Sequence, residues 1–389
     1  VLLGRSAQKL ERVRAVCERQ VQGVYPAIHI EATTDVRRGL LGADYVLNQV
    51  RVGGLEARAF DETFPREMGV PGEETIGPGG FANALRTIPA VLESLRIVEE
   101  VAPEAIVLNL TNPAGIVQHA ASKYTKTRMI GLCDSPITLG DDVSKLLDLP
   151  RAQLEVGYVG MNHLGWIIAL RHGQEDLMER ALQGIERLAY LGVDAAYIRA
   201  TRAIPIPYVR YYLHPEGMLA QQQGQLPRAR QLQVLEQALL ADYERVSMQH
   251  EAMPAQGVKR RGAVWYSAIV VPVLDALIND LGTTWVVNVS NGRLVPWLPA
   301  DTVIEVPARI DRQGEQVHPL PVPGDLLVEE LRLLLSAQAA YEELAVTAIV
   351  EGERELAVRS LVAHPLVRSL DRAERVLAAV WPSGGVAVG

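Results

Sequence analysis

Thr127-Arg-Met-Ile-Gly-Leu-Cys133-Asp134-Ser-Pro136 and, after a short helical segment, Val156-Gly-Tyr-Val-Gly-Met-Asn162-His163-Leu-Gly165-Trp166 form the stretch whose reading decides the fold. An apolar run that stops abruptly at polar residues reads as a buried strand delivering chemistry at its carboxyl end. One run here ends in a thiol beside a carboxylate, the other in an asparagine and an imidazole. Thiolate and imidazole together are transition-metal ligands, suited in different degrees to manganese, iron, nickel, cobalt or zinc. Taken singly, a buried free cysteine and a core histidine are the commoner reading. Their joint placement at two strand ends favours a ligand pair.

Upstream, the same pattern repeats. Val1–Leu3 is a short apolar run, and Ala7–Gln20 has helical charge patterning. Ile28–Thr33 alternates as a strand, and Thr34-Asp35 caps a short helix ended by Gly42. Asp44–Arg51 is an apolar run broken by Gly53-Gly54, and Asn83–Glu100 reads as a helix. Ala105–Leu110 leads into Thr111-Asn112-Pro113, Ile116–Tyr124 is helical, and Met129–Leu132 reaches Cys133. Strand and helix alternating at this spacing imply a parallel sheet with crossover helices. Arg51, Thr111-Asn112 and Cys133-Asp134 then share the sheet edge where ligands bind. Downstream come an amphipathic Leu177–Leu191, a proline and tyrosine run through Pro205, Tyr208, Tyr211 and Tyr212, and a helix Gln231–Met248. Strands at Trp285–Gly292 and Val303–Pro307 precede two helices within Asp325–Val362, with Gly352 between them.

The 389 residues suffice for two domains, and the formal charge of −8 with no basic run argues against a nucleic-acid partner. Two cysteines, Cys17 and Cys133, make no disulfide framework, which suits reduced thiols and a cytoplasmic setting. The most apolar short run, Ala268–Leu274, is broken by Pro272, so no membrane partner is expected. The chain opens Val-Leu-Leu without methionine, leaving open whether residues precede Val1.

Gly53-Gly54-Leu-Glu-Ala-Arg58, Gly72-Glu-Glu74-Thr-Ile-Gly77-Pro-Gly79-Gly80, Leu85-Arg86-Thr-Ile-Pro89, Thr111-Asn112-Pro113-Ala114, Cys133-Asp134, Asn162-His163 and Arg261-Gly-Ala-Val-Trp265-Tyr266-Ser267 occur together and in order. This set resembles glycoside hydrolase family four, the NAD- and metal-dependent 6-phosphoglycosidases, across about the whole chain including His364-Pro365-Leu366. Ordered motifs are far more specific than any one of them, and the family departs from the two-carboxylate rule of most glycosidases. The resemblance implies an α/β fold: a Rossmann-like doubly wound parallel sheet of the lactate and malate dehydrogenase type, with a C-terminal α/β substrate domain ending in helices. Residues 1–150 would be the NAD-binding half and 151–389 the substrate and oligomerisation half. It further implies C3 oxidation of the sugar by NAD, removal of the C2 proton, elimination, water addition and re-reduction, with Mn2+ or another divalent metal acting as Lewis acid.

By position, the resemblance makes Cys133 and His163 the metal ligands and Tyr266 the base for the C2 proton. A phenol needs its pKa lowered for that task, by the metal or by Arg261. Arg58 would grip the 6-phosphate through its guanidinium fork. Asn112 would bind sugar hydroxyls, and Asn288 and Asn291 would join the phosphate pocket. Arg51, Arg5 and Ser6 fall on the cofactor side. The substrate partner would be a phosphorylated disaccharide or glycoside, and the protein a homodimer or homotetramer.

Two departures stand out. The framework is that of the branch acting on 6-phospho-β-glucosides, whereas Asp134 is the habit of the α-acting branch, where it can serve as general acid. The family's opening strand and glycine-rich pyrophosphate turn have no counterpart in this sequence, and Gly4-Arg5-Ser6 stands where an acidic ribose ligand is usual. Arg5 and Ser6 suit a 2′-phosphate, making NADP the alternative cofactor. A β-specific 6-phosphoglucosidase is the first reading; the α-acting enzyme, a lactate/malate-type dehydrogenase and a cofactor-less relic are the alternatives.

Overall fold

The computed structural model describes residues 1–22, 24–249, 266–317 and 327–382. The short strand β1 (Leu2–Leu3) leads into the helix α1 (Ala7–Gln22) and pairs in parallel with β2 (Ala32–Thr33). Asp35 caps α2 (Val36–Leu40) by accepting the Arg38 backbone N–H at 3.1 Å. β3 (Tyr45–Asn48), β4 (Ile106–Asn109) and β5 (Arg128–Leu132) then run parallel and side by side. Their crossovers are α3 (Gly54–Asp61) with α4 (Gly77–Val101), and α5 (Ala114–Tyr124). The strand β2 is shorter and later than the alternation at Ile28 predicts. The helix α4 begins six residues before its predicted start, because Gly77-Pro-Gly-Gly, poor in helix propensity, lies in a tightly packed first turn.

Alternation along β4 and β5 shows both faces covered. Ile106, Leu108, Ile130 and Leu132 face one apolar cluster, and Val107 and Met129 the other. That is the doubly wound arrangement, but the sheet does not stop at β5. The strand β10 (Thr283–Ser290) adds antiparallel to β5, with Asn288 opposite Gly131, and β11 (Val303–Asp311) adds antiparallel to β10. Beyond β11 lies the hairpin of β6 (Glu155–Met161) and β7 (Leu164–His172). The path is β3-β4-β5-β10-β11-β6-β7-β8, with β8 at Glu175–Asp176, β9 (Ile204–Pro205) pairing with β7 and β12 (Gly314–Val317) with β11, so the sheet is mixed rather than parallel throughout. Strands from both halves thus share one sheet, and both apolar clusters draw on residues before and after 150.

β1 and β2 form a separate two-stranded sheet. A dinucleotide-binding order of 3-2-1-4-5-6 has one further strand between the positions of β1 and β3. Among the described residues none occupies it.

The C-terminal helices Glu329–Glu351, Arg354–Ala363 and Leu370–Val380 close one face; the last was not foreseen. Glu329–Glu351 is long and apolar enough to cross a membrane by composition alone, yet Tyr341, Ala345, Val346 and Ile349 are buried in the cluster that α4 and α5 share. It is a core helix here.

Candidate active site

The pairing of Met161 with Leu164 leaves Asn162 and His163 as a two-residue turn between β6 and β7. His163 sits at φ 63°, in the left-handed region that histidine enters more readily than most side chains. Such a conformation costs about 1–2 kcal/mol and clusters at functional positions. Its buried ring stacks on Tyr208, with centroids 3.7 Å apart and planes 7° from parallel. The proline and tyrosine run therefore walls the site. Burial lowers the His163 pKa to about 3, so the ring stays neutral and can act as a donor at neutral pH. Its Nδ1 lies 2.6 Å from Thr75 Oγ1.

Cys133 follows β5 directly and is buried. Burial, then the carboxylates of Glu305 and Asp134, push its thiol well above the ordinary range, partly offset by hydrogen bonds from Ser135. Asp134 precedes the helix α6 (Ser135–Leu147) and makes no capping bond; burial raises its pKa. Tyr208, stacked on His163, also lies within electrostatic reach of Glu73, Cys133, Asp134 and Glu74. All four therefore act electrostatically on the residue against which His163 stacks. A desolvated cluster of acids around one thiol and one neutral imidazole fits a divalent cation, which supplies the missing positive charge. Among the described residues no three His, Cys, Asp or Glu side chains close around one point. Cys133 and His163 would need substrate or water oxygens to complete coordination, as an open catalytic site does.

Beneath this pair lies a residue that sequence reasoning missed. Glu305 of β11 is fully buried and accepts from Tyr158 Oη at 2.9 Å, Asn288 Nδ2 at 3.2 Å and Asn162 Nδ2 at 3.4 Å. Asn288 also donates to the Gly131 carbonyl at 3.3 Å, just ahead of Cys133. One carboxyl thus ties the strand carrying the thiol to the turn carrying the histidine. Burial raises it to about 7 against the hydrogen bonds that lower it. Only the alternation of β11, with an acid at an inward position, carried a signal for it.

Asn288 and Asn291, expected in the phosphate pocket, are engaged within the protein. The Asn288 amide nitrogen is engaged by Glu305 and Gly131. The Asn291 side chain holds its own loop, donating to the carbonyls of Val295, Leu298 and Pro299 and accepting from the Val295 N–H. Both are fully buried.

Arg58, expected to grip the 6-phosphate, already has carboxylate partners. It pairs with Glu62 at 2.7 Å and Glu74 at 2.8 Å, and Arg51 pairs with the same Glu74. A phosphate there would join or displace carboxylates already in place. Asn112 is half-buried in a cis Asn112-Pro113 turn, and among the described residues nothing bonds its amide. The preceding turn is held by Asn109, which accepts from Asn48 at 2.9 Å and from the Thr111 N–H at 3.2 Å. Tyr266 opens a π-helical turn, Tyr266–Val270, packed against the larger apolar cluster. Arg261 and Trp265 lie outside the described residues.

On the cofactor side, Arg5 and Ser6 are exposed where β1 meets α1, and Ser6 Oγ accepts the Lys9 N–H at 3.3 Å. A glycine-rich pyrophosphate turn is not among the described residues.

The comparisons converge. Residues 1–149 match the model of the family 4 glycosyl hydrolases, and residues 158–367 match that of the family 4 glycosyl hydrolase C-terminal domain. The chain is 32% identical over 384 residues to a probable 6-phospho-beta-glucosidase of Bacillus subtilis, covering 95% of this chain and 85% of the relative. It is 30% identical to the Escherichia coli 6-phospho-beta-glucosidase, at 95% and 84% coverage. The Thermotoga maritima 6-phospho-beta glucosidase, crystallised with NAD and glucose-6-phosphate, superposes with a TM-score of 0.88 at 27% identity, covering 97% of this chain and 89% of that one. The malate dehydrogenase of Aeropyrum pernix, at 17% identity and a TM-score of 0.52, shares the Rossmann-type fold. The chain belongs to the family 4 glycosyl hydrolases.

Proposed function

We propose that this protein hydrolyses 6-phospho-β-glucosides, using NAD and a divalent metal such as Mn2+. The observation that carries the reading is the buried, neutral His163 stacked on Tyr208, with Cys133 and Asp134 within electrostatic reach of that same tyrosine. Hydride transfer at C3 is the chemistry that bound NAD would supply, and Lewis-acid polarisation of the neighbouring sugar oxygens is what a divalent metal held by Cys133 and His163 would supply. The chain's own residues do the rest. Cys133 and His163 supply the sulfur and nitrogen donors. Tyr266 takes the C2 proton at its phenol oxygen, and Asp134, pushed toward its protonated form, gives a proton to the leaving oxygen. Asn112 binds sugar hydroxyls from its turn. Arg58, within its carboxylate network, and Arg51 mark the phosphate and cofactor sides. Arg5 and Ser6 leave NADP as the alternative cofactor.

The raised Asp134 favours one second reading, a 6-phospho-α-glucosidase, and relatives at 26% identity include a maltose-6'-phosphate glucosidase of Bacillus subtilis. We keep residues 1–150 and 151–389 as the cofactor and substrate halves, self-association as a homodimer or homotetramer, and a cytoplasmic setting for the two free cysteines. The test is nitrophenol release from aryl 6-phospho-β- and 6-phospho-α-glucosides, with and without Mn2+ and NAD. Release that needs both cofactors without accumulating NADH supports the glycosidase. Stoichiometric NADH would indicate a dehydrogenase instead.

A further inference from the structure

We propose that Glu73 and Thr75 form a relay that fixes His163 with its ring proton on Nδ1 and presents Nε2 as a bare donor. The proposal rests on the reading of His163 as a metal ligand. Three side chains carry it. Thr75 Oγ1 lies 2.6 Å from His163 Nδ1, and the same hydroxyl bonds one carboxylate oxygen of Glu73, which the Thr75 backbone N–H also reaches. A hydroxyl has one proton to donate. The Glu73 oxygen it meets already accepts the Thr75 backbone N–H, so the hydroxyl donates to that acceptor, Oγ1 is left an acceptor toward the imidazole, and Nδ1 must then carry the hydrogen. The ring lone pair is left at Nε2. A hydrogen bond on the far nitrogen is how proteins set the tautomer and orientation of a ligating histidine.

The surrounding structure makes the relay rigid. Stacking on Tyr208 sets the plane of the ring, and Thr75 sets its rotation within that plane, so the direction of Nε2 is determined. The loop 72–76 is held against the start of α4 at its backbone. A Cβ at Gly79 would come within 2.2 Å of the Glu73 carbonyl oxygen, and one at Gly80 within 2.6 Å of that of Thr75. Asn83 further ties the loop by donating to the Glu74 carbonyl at 3.1 Å. Thr75 and Glu73 are therefore positioning residues, acting on the site through His163.

The first test reads the tautomer directly. Nitrogen-15 NMR of histidine-labelled, metal-free protein at neutral pH, with the His163 signal assigned by its loss in His163→Ala, is expected to show the Nδ1–H tautomer. Glu73→Ala frees the Thr75 hydroxyl to donate to the ring and is expected to shift the signal toward Nε2–H. Mn2+ titration followed by electron paramagnetic resonance supplies the second readout. Thr75→Val, nearly isosteric, should weaken Mn2+ binding about 10- to 100-fold, and Thr75→Ser should restore it. A wild-type proton on Nε2 would overturn the relay. So would a Thr75→Val protein that binds Mn2+ as wild type does while His163→Ala does not, an outcome that leaves His163 a ligand. If His163→Ala itself binds Mn2+ unchanged, the ligand reading falls and the relay with it.

Discussion

Asp134 shows how much one side chain can decide. It stands uncapped before α6 with its pKa raised by burial, beside the thiol it also perturbs. A general acid matters most when the leaving group is poor. Asp134→Asn is therefore expected to lower kcat on an alkyl 6-phosphoglucoside by about 10²- to 10⁴-fold while leaving nitrophenyl substrates near wild type. Equal loss on both substrates would mean that Asp134 does not protonate the leaving oxygen. Glu342 makes a different prediction. It is buried and, among the described residues, Oε2 has no partner and only the Gln338 amide reaches Oε1, at 3.0 Å. Burial raises its pKa from 4.5 to about 7. Between those values the folded state holds a proton that the unfolded state has released, so this group's contribution to stability falls as pH rises. Glu342→Gln should thus gain stability relative to wild type by on the order of 2–3 kcal/mol above pH 7 and lose that advantage below about pH 4.5. Denaturant midpoints at the two pH values check it, and parallel curves would refute it.

Among the elements, the β6–β7 hairpin and α5 meet at the site. A Cβ on Gly115, in the first turn of α5, would lie 2.9 Å from the Asn162 Cβ, so either the helix or the turn carrying His163 must move. Gly115→Ala is expected to cost about 1–3 kcal/mol, read as a lower melting temperature, and to weaken Mn2+ binding with it. Unchanged melting would show that the turn yields freely. The elements that bring chemistry to the sheet edge were legible from apolar runs stopping at polar residues: β4, β5 and the turn at Asn162-His163 lie within a residue of their predicted places, and β3 ends at Asn48, three residues short of Arg51. The start of α4 and the helix Leu370–Val380 were not. A Gly-Pro-Gly-Gly helix start contradicts local propensity and is held by packing, since Gly77, Pro78, Gly79 and Gly80 are all buried. The last helix is a surface element whose buried face, Ala373, Val376 and Leu377, makes only a short apolar stripe.

At the scale of the molecule, β10 and β11 of the second half are stitched between β5 and β6, and each apolar cluster spans the boundary at residue 150. Calorimetry is therefore expected to show one cooperative unfolding transition; two resolved transitions would mean that the halves are energetically separate. The sequence by itself determined the family, the strand ends that meet a ligand, and the residue types able to bind a metal, because those depend on local patterning and on motifs read in order. Only the tertiary structure decided which of these side chains are free to act. Asn288 and Asn291 bond within the protein, Arg58 has two carboxylate partners, and Glu305, Glu73 and Thr75 join the hydrogen bonds around the site. The reason is physical. A buried polar group must find its partner, and those partners come from strands and loops far apart in the chain.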